Sequence, residues 1–330
     1  MICMKALIIR HCAYGDAIHA SHLPRLLHSK GYTTIDVNTN LKGSMVFLHN
    51  PFIANLVVEE ISTTPAWLLE KHWQVIAEGY DKVINLYASI EYDLLAMEND
   101  NTYYMSGEIR RQRYEGINFY DHTTVKAGYL EDIGKFHGEM FFTDKEHEIV
   151  RNWIDLPKFK DKTLVMINIS GSGPHKRMVQ AREIADRLLE THNDIHIITT
   201  GSAACKSVDF ADELGDRATS ITGRFPFRQA ALVTKYMDCV IGCESGLMCA
   251  ATMWETPVIQ LMTATDINAH CKYNTNDYSL QSPCRCSPCY KGPYSYYGCP
   301  SKDGNPLCVY FSVEDIVNQY KKVDNARVTV

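Results

Sequence analysis

Residues 10–16 hold the first group of side chains able to do chemistry: Arg10, Tyr14, Gly15 and Asp16 follow the apolar pair Ile8-Ile9. A carboxylate at the start of a helix can take the proton of an attacking hydroxyl as its bond forms, and it can equally cap that helix. Residues 170–177 (SGSGPHKR) join Ser170, Gly171 and Ser172 to the cations Lys176 and Arg177, just before a helical stretch. Backbone N–H groups at a helix start and a nearby ammonium suit a diphosphate, and a plain Gly-rich turn has the same composition. The residue order of a Walker A loop is absent. Residues 242–249 (GCESGLMC) follow an apolar run and open another helix at Ser245 and Gly246. Amides there favour a phosphate, and Glu244 suits ribose hydroxyls or a helix cap; the G-x-S-x-G order of a hydrolase elbow is not present.

Twelve cysteines are present, and five of them crowd into Cys284, Cys286, Cys289, Cys299 and Cys308. Cys286 and Cys289 have the spacing of a metal knuckle, and Cys299 and Cys308 complete a tetrahedral set that would order an irregular loop, leaving Cys284 spare. Zinc and iron both suit four thiolates, and disulfides or free thiols are the other readings. Cys3, Cys12, Cys205, Cys239, Cys243 and Cys271 are scattered and read as small apolar residues. Arg110, Arg111 and Arg113 lie among Tyr103, Tyr104, Tyr114 and Tyr120. That mixture offers phosphate and stacking contacts to an acceptor, or is a tyrosine-rich surface loop. Glu98-Asn99-Asp100 reads as a solvated acidic turn rather than a divalent-metal site.

The elements that must position these groups alternate along the chain. Apolar runs at 5–10, 34–37, 56–58 and 82–86 predict strands, with helices up to Gly31 and over 66–77. Residues 99–137 read as an elaborated loop region, 145–154 as a helix and 155–162 (DLPKFKDK) as a linker. The rhythm restarts with strands at 163–169, 195–199, 239–241 and 257–261, and with helices at 179–190, 204–214, 227–236, from 245, and at 313–322, the last expected at the domain junction. Two doubly wound α/β domains with parallel sheets follow, spanning 1–155 and 163–330, and their ligands belong beyond the carboxyl ends of the strands. A composition of 45% hydrophobic and 22% charged residues is that of an ordinary globular protein. The net charge of −6 argues against a surface built wholly to neutralise a polyanion. No apolar run reaches the roughly 18 residues of a membrane span, and the opening apolar stretch reads as a buried strand, so a cytoplasmic protein is expected.

The three loops together resemble glycosyltransferase family 9, the ADP-heptose heptosyltransferases of the GT-B fold. The resemblance rests on Ile8-Ile9-Arg10 through Gly15-Asp16, on NPFIANLVV at 50–58, on residues 169–176, on Thr222-Gly223-Arg224 and on MDCVIGCESGLMCAATMWETPVIQLM at 237–262. Glu244 stands where the family has Asp, and Cys249 where it usually has His. The resemblance implies two facing Rossmann-like domains, the first binding acceptor and the second nucleotide sugar. It implies inverting transfer without a catalytic divalent ion, with Asp16 as base and Lys176 as the cation on the leaving diphosphate. Ser170, Gly171, Ser172, Arg177, Gly223, Arg224, Glu244, Ser245, Gly246 and Leu247 become donor-binding residues. Arg10, Tyr14, Gly15, Arg110, Arg111 and Arg113 become acceptor-binding residues. Some members carry a C-terminal cysteine finger, here 284–308, and those that glycosylate autotransporter proteins hold iron in it. The implied reaction moves a sugar from ADP-heptose or a related donor to a lipopolysaccharide core or other surface glycan. A protein Ser or Thr, or a hydroxymethylated DNA base with a UDP-sugar, remains an alternative acceptor. So does a non-catalytic nucleotide-sugar-binding module, and a homo-oligomer is open.

Overall fold

The computed structural model describes residues 4–169, 171–292 and 299–328. The chain divides into two units, Met1–Asp93 with Phe119–Thr143, and Leu94–Asn118 with Asp144–Val330. The sequence reading drew one boundary at 155, whereas two separate stretches of the first half belong with the second unit. The second of these is α9 (Asp144–Ile154), tied into its unit by Arg228, which donates to both Glu146 carboxylate oxygens at 2.6 and 2.9 Å.

In the first unit, β1 (Met4–Arg10), β2 (Tyr32–Thr39), β3 (Asn55–Val58) and β4 (Lys82–Asn85) form a parallel sheet in the order β3-β2-β1-β4. Ala6, Ile8 and Ile9 are wholly buried, because a central parallel strand has both faces covered. The helical pattern expected to run to Gly31 is split into α1 (Tyr14–Ala20) and α2 (Leu23–Ser29). Pro24 in the first turn of α2 explains the break: it has no N–H to give and would clash with the preceding turn. The remaining helices are α3 (Leu41–Phe47), α4 (Ala66–Ile76), α5 (Ser89–Asp93) and α8 (Phe119–Lys126).

The intervening α6 (Asn101–Tyr104) and α7 (Gly107–Tyr114) lie in the second unit. The segment expected as loop is thus largely helical, for reasons present in its sequence. Asp100 caps α6 by accepting the Thr102 N–H at 2.9 Å, and Ser106 caps α7 through Ile109. The six-stranded parallel sheet of this unit runs β10-β9-β8-β5-β6-β7. Its strands are β5 (Thr163–Asn168), β6 (Ile195–Thr200), β7 (Ala218–Ser220), β8 (Cys239–Cys243), β9 (Val258–Met262) and β10 (Leu280–Gln281). A small hairpin, β11 (Ser301–Lys302) and β12 (Asn305–Pro306), lies in the cysteine-rich stretch. Helices α10 (Ala181–Thr191), α11 (Phe227–Thr234), α12 (Gly246–Ala251), α13 (Ile267–Cys271) and α14 (Val313–Val328) complete the unit.

Ile316, Val317, Tyr320 and Val323 of α14 join Val165, Ile167, Ile184, Leu188 and Ile197 in one core. The terminal helix therefore belongs to the interior packing of the second unit. The helix expected over 204–214 is replaced by 3₁₀ turns at Ala203–Val208 and Ala211–Arg217. Asp209 diverts the chain there by accepting from Thr199 Oγ1 at 2.7 Å, Ser220 Oγ at 2.6 Å and the Ala211 N–H at 3.1 Å. Among the described residues no helix is long and apolar enough to cross a membrane.

Candidate active site

At the carboxyl end of β1 the Arg10 side chain is completely buried and donates to the Leu86 carbonyl. Two carboxylates share its charge without contacting it closely: Asp16 Oδ1 lies 3.7 Å from Nη2, and Glu91 Oε2 lies 3.9 Å from Nη1. Asp16 Oδ2 accepts the Ala13 N–H at 3.2 Å. Asp16 thus caps α1 with one oxygen and turns the other toward the buried guanidinium. Tyr14 and Gly15 occupy the first turn of α1, and burial pushes the Tyr14 phenol up. Arg10 is a buried fixture of this loop rather than a surface contact for an acceptor.

Glu91 was missed in the sequence, having no motif of its own. Burial and the nearby Asp16 charge raise its pKa against the opposing pull of Arg10. A raised carboxyl pKa means that the folded chain binds more protons than the unfolded one just above the ordinary carboxyl range. Stability is therefore lost as pH rises through that interval and does not return above it. Glu91→Gln is expected to melt higher than the parent at pH 7, with the gain disappearing at pH 4. Thermal melts at the two pH values check this; a difference independent of pH would contradict it.

In the second unit, the loop after β5 closes in a 3₁₀ turn, Pro174–Lys176, and α10 starts only at Ala181. The expectation of a helix start directly at this loop is corrected. A Cβ on Gly171 would fall 2.6 Å from Lys176 Cβ and 3.4 Å from the Glu244 carbonyl oxygen. The bare glycine lets the Lys176 stem lie across the loop beside β8. Ser170 lies outside the described residues. Ser172 and Arg177 are exposed, and Arg177 donates to Asn305 Oδ1 of β12 at 3.1 Å.

β8 neighbours β5, so its terminal loop stands next to this one. Ser245 caps α12 by accepting the Met248 N–H at 3.3 Å, and Asn168 Nδ2 steadies the same hydroxyl at 2.9 Å. That leaves the Gly246 and Leu247 amides in the orphan first turn. Glu244 is neither the cap nor turned toward a ribose: it is buried and accepts from Thr265 Oγ1 at 2.7 Å. His175 Nε2 and His270 Nε2 stand 3.8 and 3.7 Å from its two oxygens. Burial alone would push this carboxyl up, but Lys176, His270, His175 and the Thr265 hydroxyl outweigh it and hold it below the ordinary range. Burial and Lys176 bring His175 down to about 4, so its imidazole is neutral at pH 7. Cys249 Sγ lies 3.9 Å from His270 Nδ1. Gly223 turns the chain after β7 with φ of +62°, and Arg224 beside it is exposed.

The basic cluster is dispersed by the fold. Arg110 is buried and donates to the Cys289 carbonyl at 2.7 Å, the Tyr103 carbonyl at 3.1 Å and the Met105 carbonyl. Its donors are therefore committed to holding backbone, which removes it from acceptor binding. Arg113 donates to Thr102 Oγ1 at 2.7 Å and covers the Tyr114 ring. Only Arg111 keeps an uncommitted guanidinium among the three, and all three lie in the second unit.

The cysteine-rich loop docks on the end of β9, where the Cys289 and Tyr290 N–H groups both donate to the Ala264 carbonyl. Cys286, Cys289, Cys299 and Cys308 line one cavity of about 30 Å³, with His175 in its wall. Cys284 lines a separate groove, and its Sγ is 3.4 Å from that of Cys286. Burial, then the Cys284 thiol and the neighbouring cysteines, push Cys286 up to about 12.

Residues 137–297 match the family described as glycosyltransferase family 9 (heptosyltransferase). A family 9 glycosyl transferase from Veillonella parvula DSM 2008 is similar in fold, with a TM-score of 0.69 at 16% identity over 97% of each chain. The ADP-heptose LPS heptosyltransferase II of E. coli gives 0.63 at 13% identity, covering 97% of this chain and 98% of its own. TibC from enterotoxigenic E. coli H10407, an iron-containing dodecameric glycosyltransferase, gives 0.62 at 10%, covering 99% of this chain and 80% of its own. At such identities the likeness is one of fold, and the fold is GT-B. No curated protein matches the chain.

Proposed function

We propose that this chain, a glycosyltransferase whose residues 137–297 match glycosyltransferase family 9, transfers a sugar, with inversion, from ADP-heptose or a related nucleotide sugar to a hydroxyl of a lipopolysaccharide core or other surface glycan. The observation that carries the donor reading is the pairing of two loops at the ends of adjacent strands β5 and β8. One lays Lys176 across Gly171, and the other presents the first-turn amides of α12. An ammonium beside helix-start amides stabilises the charge that grows on a departing nucleotide diphosphate. Ser172, Arg177, Gly223 and Arg224 stand at carboxyl ends of strands in the same sheet and join this donor surface.

On the acceptor side, Asp16 takes the proton of the attacking hydroxyl through the oxygen not used by the cap. Arg10 lies 3.7 Å from that oxygen, and Tyr14 and Gly15 shape the same turn. Incubation with ADP-heptose and a truncated lipopolysaccharide core should yield one added heptose of inverted anomeric configuration, read by mass and by NMR. Retention of configuration, or donor hydrolysis with no acceptor addition, would overturn the reading.

The four-thiol cavity favours a second reading of the acceptor, a protein serine or threonine. Four thiols along one cavity have the donor chemistry for a structural zinc or iron, which Cys286, Cys289, Cys299 and Cys308 would hold with Cys284 outside. Such an ion crosslinks the loop and takes no part in transfer. Because Arg177 bonds to Asn305 and His175 lines the cavity, metal loss should also loosen the donor loop. Cys289→Ser, or stripping with a thiol-competing chelator, is expected to lower the melting temperature and weaken nucleotide affinity together. Metal analysis, melts and titrations on the same samples check this; unchanged nucleotide affinity after complete metal loss would contradict the coupling.

A further inference from the structure

The cysteine loop has a second concavity that shares Cys286, Pro300 and Leu307 with the thiol cavity but opens onto α7, with a volume of about 550 Å³. Arg111 and Arg285 both line it, and neither guanidinium has a hydrogen bond or ion pair among the described residues. Arg111 is half-buried and held by its surroundings, whereas Arg285 is exposed on the cysteine loop. Gly107 at the start of α7 has no side chain, and a Cβ there would come within 3.3 Å of Arg111 Nη1, so the Arg111 fork rests against bare helix backbone. Arg285 sits between Cys284 and Cys286, and Arg110 binds α7 to the same loop through the Cys289 carbonyl. Outside the lining, the Lys302 ammonium stands 5.4 Å from the Tyr310 ring centre, and the Tyr310 hydroxyl donates to the Lys302 carbonyl at 2.9 Å, which fixes that ring in the wall.

Three chemistries meet in this groove. Two guanidinium forks can each donate to a carboxylate or phosphate in bidentate fashion. The faces of Tyr310, Leu307 and the loop prolines are apolar and suit the C–H face of a pyranose. Glu108, the acidic residue of the lining, would oppose an anion placed on it but accepts hydroxyl protons. The volume is that of a site for a small ligand. We infer that this groove binds a sugar unit bearing a carboxylate or phosphate, held by Arg111 and Arg285, at a site separate from the donor loops. None of its lining residues belongs to residues 170–177 or 242–249, so the inference stands whether or not ADP-heptose is the donor.

The test is calorimetric titration of the full metal-loaded chain with glucuronate, glucose 6-phosphate and glucose, repeated on Arg285→Gln and on Arg111→Gln/Arg285→Gln. At least one of the two acids should bind more tightly than glucose, and the better acid identifies the anion preferred. Its affinity should fall about tenfold for each guanidinium removed. ADP affinity, measured in the same variants, should not change, which separates loss of this site from failure of the donor reading or of folding. Equal binding of glucose, no binding of either acid, or unchanged acid affinity in the double variant would overturn the inference.

Discussion

Asp16→Asn is expected to bind the nucleotide-sugar donor as tightly as the parent chain and to turn it over about 10²–10⁴-fold more slowly, the range for losing a positioned general base. Asparagine is the informative replacement because Asp16 does two things. Its Oδ2 accepts the Ala13 N–H and caps α1, a task an amide oxygen performs nearly as well. Its Oδ1 faces the buried Arg10, and only that half of the role needs a negative charge. The substitution therefore removes the base and keeps the cap, so melting temperature and donor affinity should hold while kcat falls. A comparable fall in stability would mean that the cap was the residue's purpose. An unchanged kcat would pass the role to Glu91, the neighbouring carboxylate with the raised pKa.

Lys176→Met should act on both binding and chemistry. Removing a charge that stabilises a leaving group at the transition state lowers kcat by about 10²–10³-fold, and the diphosphate is also held less firmly in the ground state. The same substitution has a consequence for stability with a definite sign. Glu244 is buried with a depressed pKa, so it contributes stability above the ordinary carboxyl range, and that contribution is lost as pH falls through its lowered value. Lys176 is the largest of the favourable charges on it. Without that ammonium the Glu244 pKa should climb, so the variant should be less stable than the parent at pH 7 and should lose less stability than the parent between pH 7 and pH 4, the gap narrowing as the carboxyl protonates. Steady-state kinetics and a pH series of melts read the two effects separately. A variant with parental kcat, or with a parental pH dependence of melting, would remove Lys176 from the corresponding role.

The placement of these two residues is legible because each sits where a strand ends and a polar, glycine-bearing turn begins, a boundary that hydrophobic patterning marks well. The spacing of Ser245 before α12 and the clustering of the cysteines were readable for the same reason: they are local. Glu91 was not, because its meeting with Arg10 depends on β1 lying beside β4, a pairing 76 residues apart that no local pattern announces. Arg110, Arg111 and Arg113 look alike in sequence, and only the tertiary structure commits Arg110 to backbone carbonyls. The second unit also collects residues 94–118 after the chain has left the first, a discontinuity hidden from any reading that seeks one linker. Glu244 shows the reverse: its place in a ligand loop suggests a ribose contact or a helix cap, whereas the Thr265 hydroxyl bonds it inward beside two imidazoles.

The central claim is that the loops after β5 and β8 hold a nucleotide diphosphate sugar. It is tested most directly by calorimetric titration of the chain and of Lys176→Met with ADP-heptose, and with UDP- and GDP-sugars for comparison. The account predicts saturable binding of ADP-heptose by the parent, tighter than that of the other donors, and a clear loss of affinity in Lys176→Met. Equal binding by parent and variant, or no binding of any nucleotide sugar by a folded, metal-loaded chain, would contradict it.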